Sequence, residues 1–122
     1  MCLTVVDKKI RKGNGVGYKV FSIDRSYHLV FPYWGGRIKY DYWYVDKSRR
    51  LLRVSSDRDE FYPAGYHIYP KLEDAQDYVE GWYGGWKLGI RRVEYQDVVA
   101  SGREGSKLVI VAHKLLIHKK GE

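Results

Sequence analysis

The sequence predicts an α+β fold in a single domain over 1–122. Its core is a mostly antiparallel, twisted sheet of short strands, with one main helix at about 72–83. Three observations point there. Short apolar or alternating runs recur between turn signals, as strands do. One segment repeats apolar residues at helical spacing. The chain of 122 residues, 44% hydrophobic and 30% charged, suffices for one packed core and leaves no room for a second.

Residues 3–6 form a short apolar run and read as a strand, although the segment up to Lys12 also suits a helix. Gly13-Asn14-Gly15 is a turn signal, because Asn-Gly readily supplies positive φ. Residues 16–23 alternate loosely and read as a strand. Asp24-Arg25-Ser26 interrupts, and 27–31 returns as the partner of a hairpin. Residues 32–36 are a loop carrying Tyr33 and Trp34. In 38–45 the even positions Ile38, Tyr40, Tyr42 and Tyr44 face one way and the mixed odd positions the other, which suits a strand. Residues 46–50 are a charged turn, 51–54 a short strand and 55–60 a polar loop. Gly65-Tyr66-His67-Ile68-Tyr69 is a compact strand that stops at Pro70.

Leu72, Ala75, Val79 and Trp82 then share one helical face, with Glu73 and Asp74 in the first turn, where the helix dipole favours acids. Gly84-Gly85 supplies a stop. Residues 86–95 read as a strand containing Arg91-Arg92, and 108–117, the most apolar segment, as a central strand. The sum is about seven strands and one or two helices.

Composition excludes several classes. No window approaches the about 18 apolar residues that span a bilayer, and the first residues show no signal-peptide pattern. A single cysteine excludes an internal disulfide framework and a multi-cysteine metal site. A reducing, cytoplasmic setting is the expectation. The four histidines have no close ligand spacing with one another or with Cys2, so no metal is expected.

Several constellations invite a chemical reading. The stretch Gly13-Asn14-Gly15-Val16-Gly17-Tyr18-Lys19 precedes a strand instead of opening a helix, so it is not a dinucleotide fingerprint. It also lacks the Gly-Lys-Ser/Thr ending of a P-loop. A turn or loop is the plain reading, with Lys12 and Lys19 available to touch an anion. Removal of Met1 would expose Cys2 with a free amine, a possible nucleophile with its own base. A buried thiol is the plain alternative. His67, between Tyr66 and Tyr69, is the histidine placed best for a role, against a packed, hydrogen-bonded ring. The acids around Asp57, Asp59 and Glu60 are flanked by Arg53 and Arg58 and read as a solvated mixed-charge loop.

The strongest signal is charge joined to rings. Twenty-two cations against fifteen acids give +7, and the chain holds twelve Tyr, four Trp and three Phe. The basic residues Lys39, Lys47, Arg49, Arg50, Arg53, Arg91 and Arg92 interleave with Tyr40, Tyr42, Trp43, Tyr44, Trp82 and Trp86. Cations follow phosphates, and rings stack on bases at about 1–3 kcal/mol each. Tyr, Trp and Arg also anchor protein interfaces. Some rings must fill the core, since the chain has only one Met, one Cys and three Phe, but Tyr prefers half-buried places where its hydroxyl finds a partner.

Met1-Cys2-Leu3, Gly17-Tyr18-Lys19-Val20, Gly65-Tyr66-His67-Ile68 and Glu73-Asp74-Ala75 together resemble a group of small proteins of phages, prophages and bacteria. These open with Met-Cys and carry similar Tyr-Lys-Val and Gly-aromatic-His blocks. The resemblance spans nearly the whole chain and brings no catalytic residue. By analogy with other small phage proteins it implies an inhibitor that binds host machinery, in the host cytoplasm. The order of Tyr18-Lys19-Val20, 65–78 and 91–99 is also similar to the ADP-ribosyltransferase superfamily, whose elements close an NAD cleft. This chain has no Ser-Thr-Ser block where His67-Ile68-Tyr69 lies and no Glu-x-Glu, which implies an activity lost or altered.

The sequence therefore predicts a non-enzymatic binding protein with no cofactor. Its partner is anionic: nucleic acid, a nucleotide, or a host protein or nucleoprotein complex. Arg49, Arg50, Arg91 and Arg92, with Lys12 and Lys19, are expected to supply charge. Trp34, Trp43, Trp86 and Tyr66 are expected to supply aromatic anchors. An enzyme using Cys2, Tyr18 and His67 is the first alternative. A homo-oligomeric structural phage component is the second.

Overall fold

The structure is a computed structural model and describes residues 3–7, 13–26, 28–31, 37–55, 60–82, 84 and 87–119. In chain order the elements are β1 (Val5–Val6), β2 (Gly15–Ile23), β3 (Leu29–Val30), β4 (Trp43–Val45), β5 (Leu51–Arg53), β6 (Phe61–Pro63), β7 (Tyr66–Ile68), α1 (Leu72–Glu80), β8 (Lys87–Glu104) and β9 (Lys107–Ile117). The expected α+β class holds in its coarse form: one helix among the described residues and a curled antiparallel sheet, with β dominating.

The long β8–β9 hairpin is the spine. One edge of β8 takes β2, from Tyr95 opposite Gly15 to Lys87 opposite Ile23, and farther along takes β1, with Gly102 and Arg103 opposite Val6 and Val5. Its other edge takes β9, whose far edge carries both β7 and β4. The register shifts between Val98 and Ala100, and Asp97 next to it has φ 57°. Such a bulge bends a strand and raises its twist, which lets one strand serve two directions of the sheet. Tyr18 and Tyr69 then exchange two backbone bonds: the Tyr18 N–H donates to the Tyr69 carbonyl at 2.7 Å, and the Tyr69 N–H to the Tyr18 carbonyl at 2.8 Å. The sheet thus curls round from β2 through β8, β9 and β7 back to β2.

Apolar side chains fill two clusters. One joins Leu3, Val20, Val54, Tyr62, Tyr69, Ala75, Val109 and Val111, and is covered by α1 and by the β5–β6 ribbon. The other joins Phe21, Phe31, Tyr66, Ile68, Val93, Leu115 and Ile117. Helix α1 inserts Ala75, which is fully buried, while Tyr78 links Tyr69 to Trp82 at ring spacings of 6.1 Å. Among the described residues no helix is long and apolar enough to cross a membrane.

Several elements differ from expectation. The strand expected over 38–45 shrinks to β4, because Tyr40 and Asp41 form a turn. Asp41 sits at φ 55° and its N–H donates to the Ile117 carbonyl at 2.8 Å. The strand expected to end at Tyr95 runs on to Glu104; its small and polar residues around Ser101-Gly102 suggest a loop but are buried between neighbours. A Cβ at Gly102 would stand 2.0 Å from the Val5 carbonyl oxygen, so only glycine admits β1 there. Strand β6 was not expected, and its Pro63 lies on the ribbon's edge, where proline is tolerated. The helix ends at Glu80, with Gly81 following, earlier than the expected stop. The helical alternative for the first segment fails at Val5–Val6, which are a strand; residues 8–12 lie outside the described residues.

Candidate functional site

The densest unbalanced charge lies on 37–53, which holds six cations against two acids, +4 of the chain's +7. Its loop is held in place by a chain of hydrogen bonds. The Asp46 N–H donates to the His113 carbonyl at 2.7 Å, and Asp46 Oδ1 accepts the Ser48 N–H at 2.8 Å, an Asx turn. His113 Nε2 lies 3.1 Å from the Ala64 carbonyl, and the Ala64 N–H donates to the Arg50 carbonyl at 2.9 Å. Lys47, Arg49 and Arg50 are therefore presented, exposed, from a segment fixed at both ends.

The ribbon continues this surface. Leu52 pairs with Tyr62, and both join the core; alternation then turns Leu51, Arg53, Phe61 and Pro63 outward. Leu51 is 62% exposed and Phe61 47% exposed. The Arg53 guanidinium lies 5.6 Å from the Phe61 ring centre, and Lys39 Nζ 5.6 Å from that of Tyr42, which is also exposed. Among the described residues, Lys39, Lys47, Arg49, Arg50 and Arg53 make no ion pair. Elsewhere on the surface Arg37 pairs with Asp24 and Lys114 with Asp97. The His28 backbone N–H, with that of Ser26 and the Arg37 guanidinium adding to it, holds the Asp24 carboxyl below its ordinary range.

The other expected site residues are dispersed. Lys12, Trp34, Trp86 and Cys2 lie outside the described residues. Arg91 and Arg92 sit on β8, opposite Lys19 and Tyr18. Arg92 is exposed and Arg91 partly buried. Lys19 is not a free surface cation: its ammonium donates to the His67 carbonyl at 3.1 Å, next to the Tyr18–Tyr69 bridge. Burial lowers its pKa to about 8. Trp43 is half-buried on β4 opposite Leu116. Tyr66 is a core ring, 7% exposed and 6.1 Å from Phe31, with its hydroxyl pushed by burial up to about 12.

His67 is buried with both ring nitrogens engaged. Nδ1 lies 3.2 Å from the Gly65 carbonyl, which accepts only, so Nδ1 carries the hydrogen. Nε2 then accepts the Tyr62 O–H at 3.0 Å, and the Tyr62 oxygen accepts the Leu3 N–H at 3.0 Å. Burial, with Lys19 adding to it, lowers the His67 pKa to about 3. Tyr18, by contrast, contributes its backbone to the closure of the sheet. Two carboxylate clusters complete the titratable set. His118 bridges Glu94 through Nε2 and Asp41 through Nδ1, the latter at 3.3 Å, and the bond to Glu94 raises its pKa. Burial raises Glu104, which accepts the Tyr69 O–H at 3.5 Å. Among the described residues no group of His, Cys, Asp and Glu could hold a metal ion.

No protein-family model, curated protein sequence or solved structure matches this chain.

Sequence reasoning missed Phe61, the outward Leu51 and the fixing role of His113. The first two carried a signal, an i, i+2 repeat on each side of the 55–60 loop, but two strands of three residues are too short for alternation to stand out.

Proposed function

We propose that this protein binds an anionic partner without chemistry, through the face built by 39–53 and Phe61. One observation carries the reading: five cations without ion pairs among the described residues stand beside exposed Tyr42, Leu51 and Phe61 on a segment fixed to the core. Unpaired surface cations raise the local concentration of anions, and apolar side chains among them add contact area that a solvated charged loop does not need. The engagement of both His67 nitrogens supports binding over acid–base chemistry at that residue. The resemblance to small phage and prophage proteins adds, by analogy, a host component as the target.

The test is fluorescence anisotropy with two labelled polyanions, a single-stranded oligonucleotide of about 20 nucleotides and polyglutamate, titrated over salt from about 50 to 200 mM. The expected result is binding to at least one of them that weakens steeply with salt. For the oligonucleotide, each contacted phosphate contributes about 0.7 to the log–log slope, so the double change Arg49→Gln, Arg50→Gln lowers that slope by about 1.4. Absence of binding at the lowest salt, or a slope the double change leaves alone, overturns the reading.

A further inference from the structure

The β5–β6 ribbon has two edges, and they differ. In the ladder, the Ala64 N–H donates to the Arg50 carbonyl and the Val54 N–H to the Glu60 carbonyl, both at 2.9 Å. By antiparallel alternation, the N–H and C=O groups of Leu51 and Arg53 point away from β6. Among the described residues these four groups have no hydrogen-bond partner, and no strand lies beside β5 on that side. The β6 edge is blunted by Pro63, which has no N–H to offer. The next outward group along the open edge is already taken by another stretch of backbone: the Ser55 N–H donates to the Leu3 carbonyl at 3.0 Å.

We infer that the open edge of β5 receives an extended, acidic peptide segment of a partner protein, which adds as a strand beside Leu51–Arg53. The inference rests on the proposed anion-binding face and names its partner class. The backbone of Leu51 and Arg53 offers alternating donors and acceptors at strand spacing, which a peptide backbone matches and a sugar-phosphate chain does not. Leu51 and the Phe61–Arg53 pair supply an apolar floor for alternate side chains. Lys47, Arg49 and Arg50 lead into this edge without ion pairs among the described residues, so the incoming strand is favoured when it carries Asp or Glu.

Anisotropy with a labelled peptide of alternating glutamate and valine tests this. The comparison probes are the glutamine–valine analogue, two analogues N-methylated at even or at odd positions, and the oligonucleotide used above. The expected result is binding of the glutamate–valine peptide, at least tenfold weaker for the glutamine analogue and for one of the two methylated peptides. The Leu51 and Arg53 amide resonances shift on binding. Leu51→Pro removes one outward donor without touching the β6 ladder, and is expected to lower affinity about tenfold with the far-ultraviolet spectrum unchanged. The methylated peptides keep the test valid should that variant misfold. Equal binding of both methylated peptides, or binding of the oligonucleotide but not the peptide, overturns the strand-addition inference and leaves the anion-binding reading standing. Failure of every polyanion overturns both.

Discussion

Acidification should destabilise this protein through one histidine, and the size of the effect follows from where His67 sits. In the folded chain the ring is 9% exposed, holds one hydrogen on Nδ1 and accepts the Tyr62 O–H on Nε2, so it stays neutral down to about pH 3. In the unfolded chain the same ring takes a proton below its ordinary value of 6.5. The unfolded state therefore binds more protons throughout that window, and stability is lost as pH falls from 6.5 towards 3. From about pH 7 to about pH 5 the loss is about 2 kcal/mol, set by the unfolded imidazole alone because the folded one is not yet titrating. With a total stability of about 5–15 kcal/mol, this moves a urea midpoint by about 1 M.

Urea unfolding of the wild type and of His67→Gln at both pH values isolates the effect, since groups common to both proteins cancel. The wild type is expected to lose about 2 kcal/mol more than the variant over that interval. The ring-proton resonances of His67 should also stay at their neutral positions to pH 5. Parallel pH dependence in the two proteins, or titration of His67 near 6.5, refutes the reasoning.

Three further outcomes follow from the same structure. Tyr62→Phe strands the Leu3 N–H and His67 Nε2 in the core and should cost about 2–4 kcal/mol in urea unfolding; a loss near zero would remove the buried relay from the account. Gly102→Ala places a methyl group against the Val5 carbonyl and should cost at least about 1–3 kcal/mol, with faster hydrogen exchange at Thr4 and Asp7, whose amides bond to β8; unchanged exchange would contradict the register. His118 titrates above 6.5, so its bridge to Glu94 and Asp41 is fully formed below the unfolded value and is lost as pH rises through the folded one. Glu94→Gln should bring its titration midpoint down towards 6.5 by NMR, and an unmoved midpoint would deny the pairing.

Much of the fold was legible because it rests on local pattern. The apolar spacing of Leu72, Ala75 and Val79 marks α1, the apolar run marks β9, and the break at Asp24 marks the β2–β3 hairpin, where Asp24 Oδ1 accepts the Ser26 and His28 N–H groups. Two of the failures lie at aspartates in the left-handed region. Asp41 stops a strand that alternation extends, and Asp97 stands beside the bulge of a strand that runs on where composition suggests an end. Aspartate tolerates that conformation without demanding it, so neither position can be told from an ordinary one in sequence. For the site, Arg49 and Arg50 were legible as charge, whereas Tyr66 looked like a surface group and is a core ring, and Lys19 is a half-buried cation tied to the His67 carbonyl.

By itself the sequence determined the class of the fold, the position of the helix and the excess of positive charge, because these depend on composition and on neighbours a few residues apart. Tertiary structure alone decided which cations stay unpaired, that Lys19 and His67 meet from positions 48 residues apart, and that β5 keeps an open edge while Pro63 closes the other. The physical reason is that pairing, burial and edge exposure depend on the register between distant strands, and here a bulge between Val98 and Ala100 and a closing bridge at Tyr18 and Tyr69 set that register.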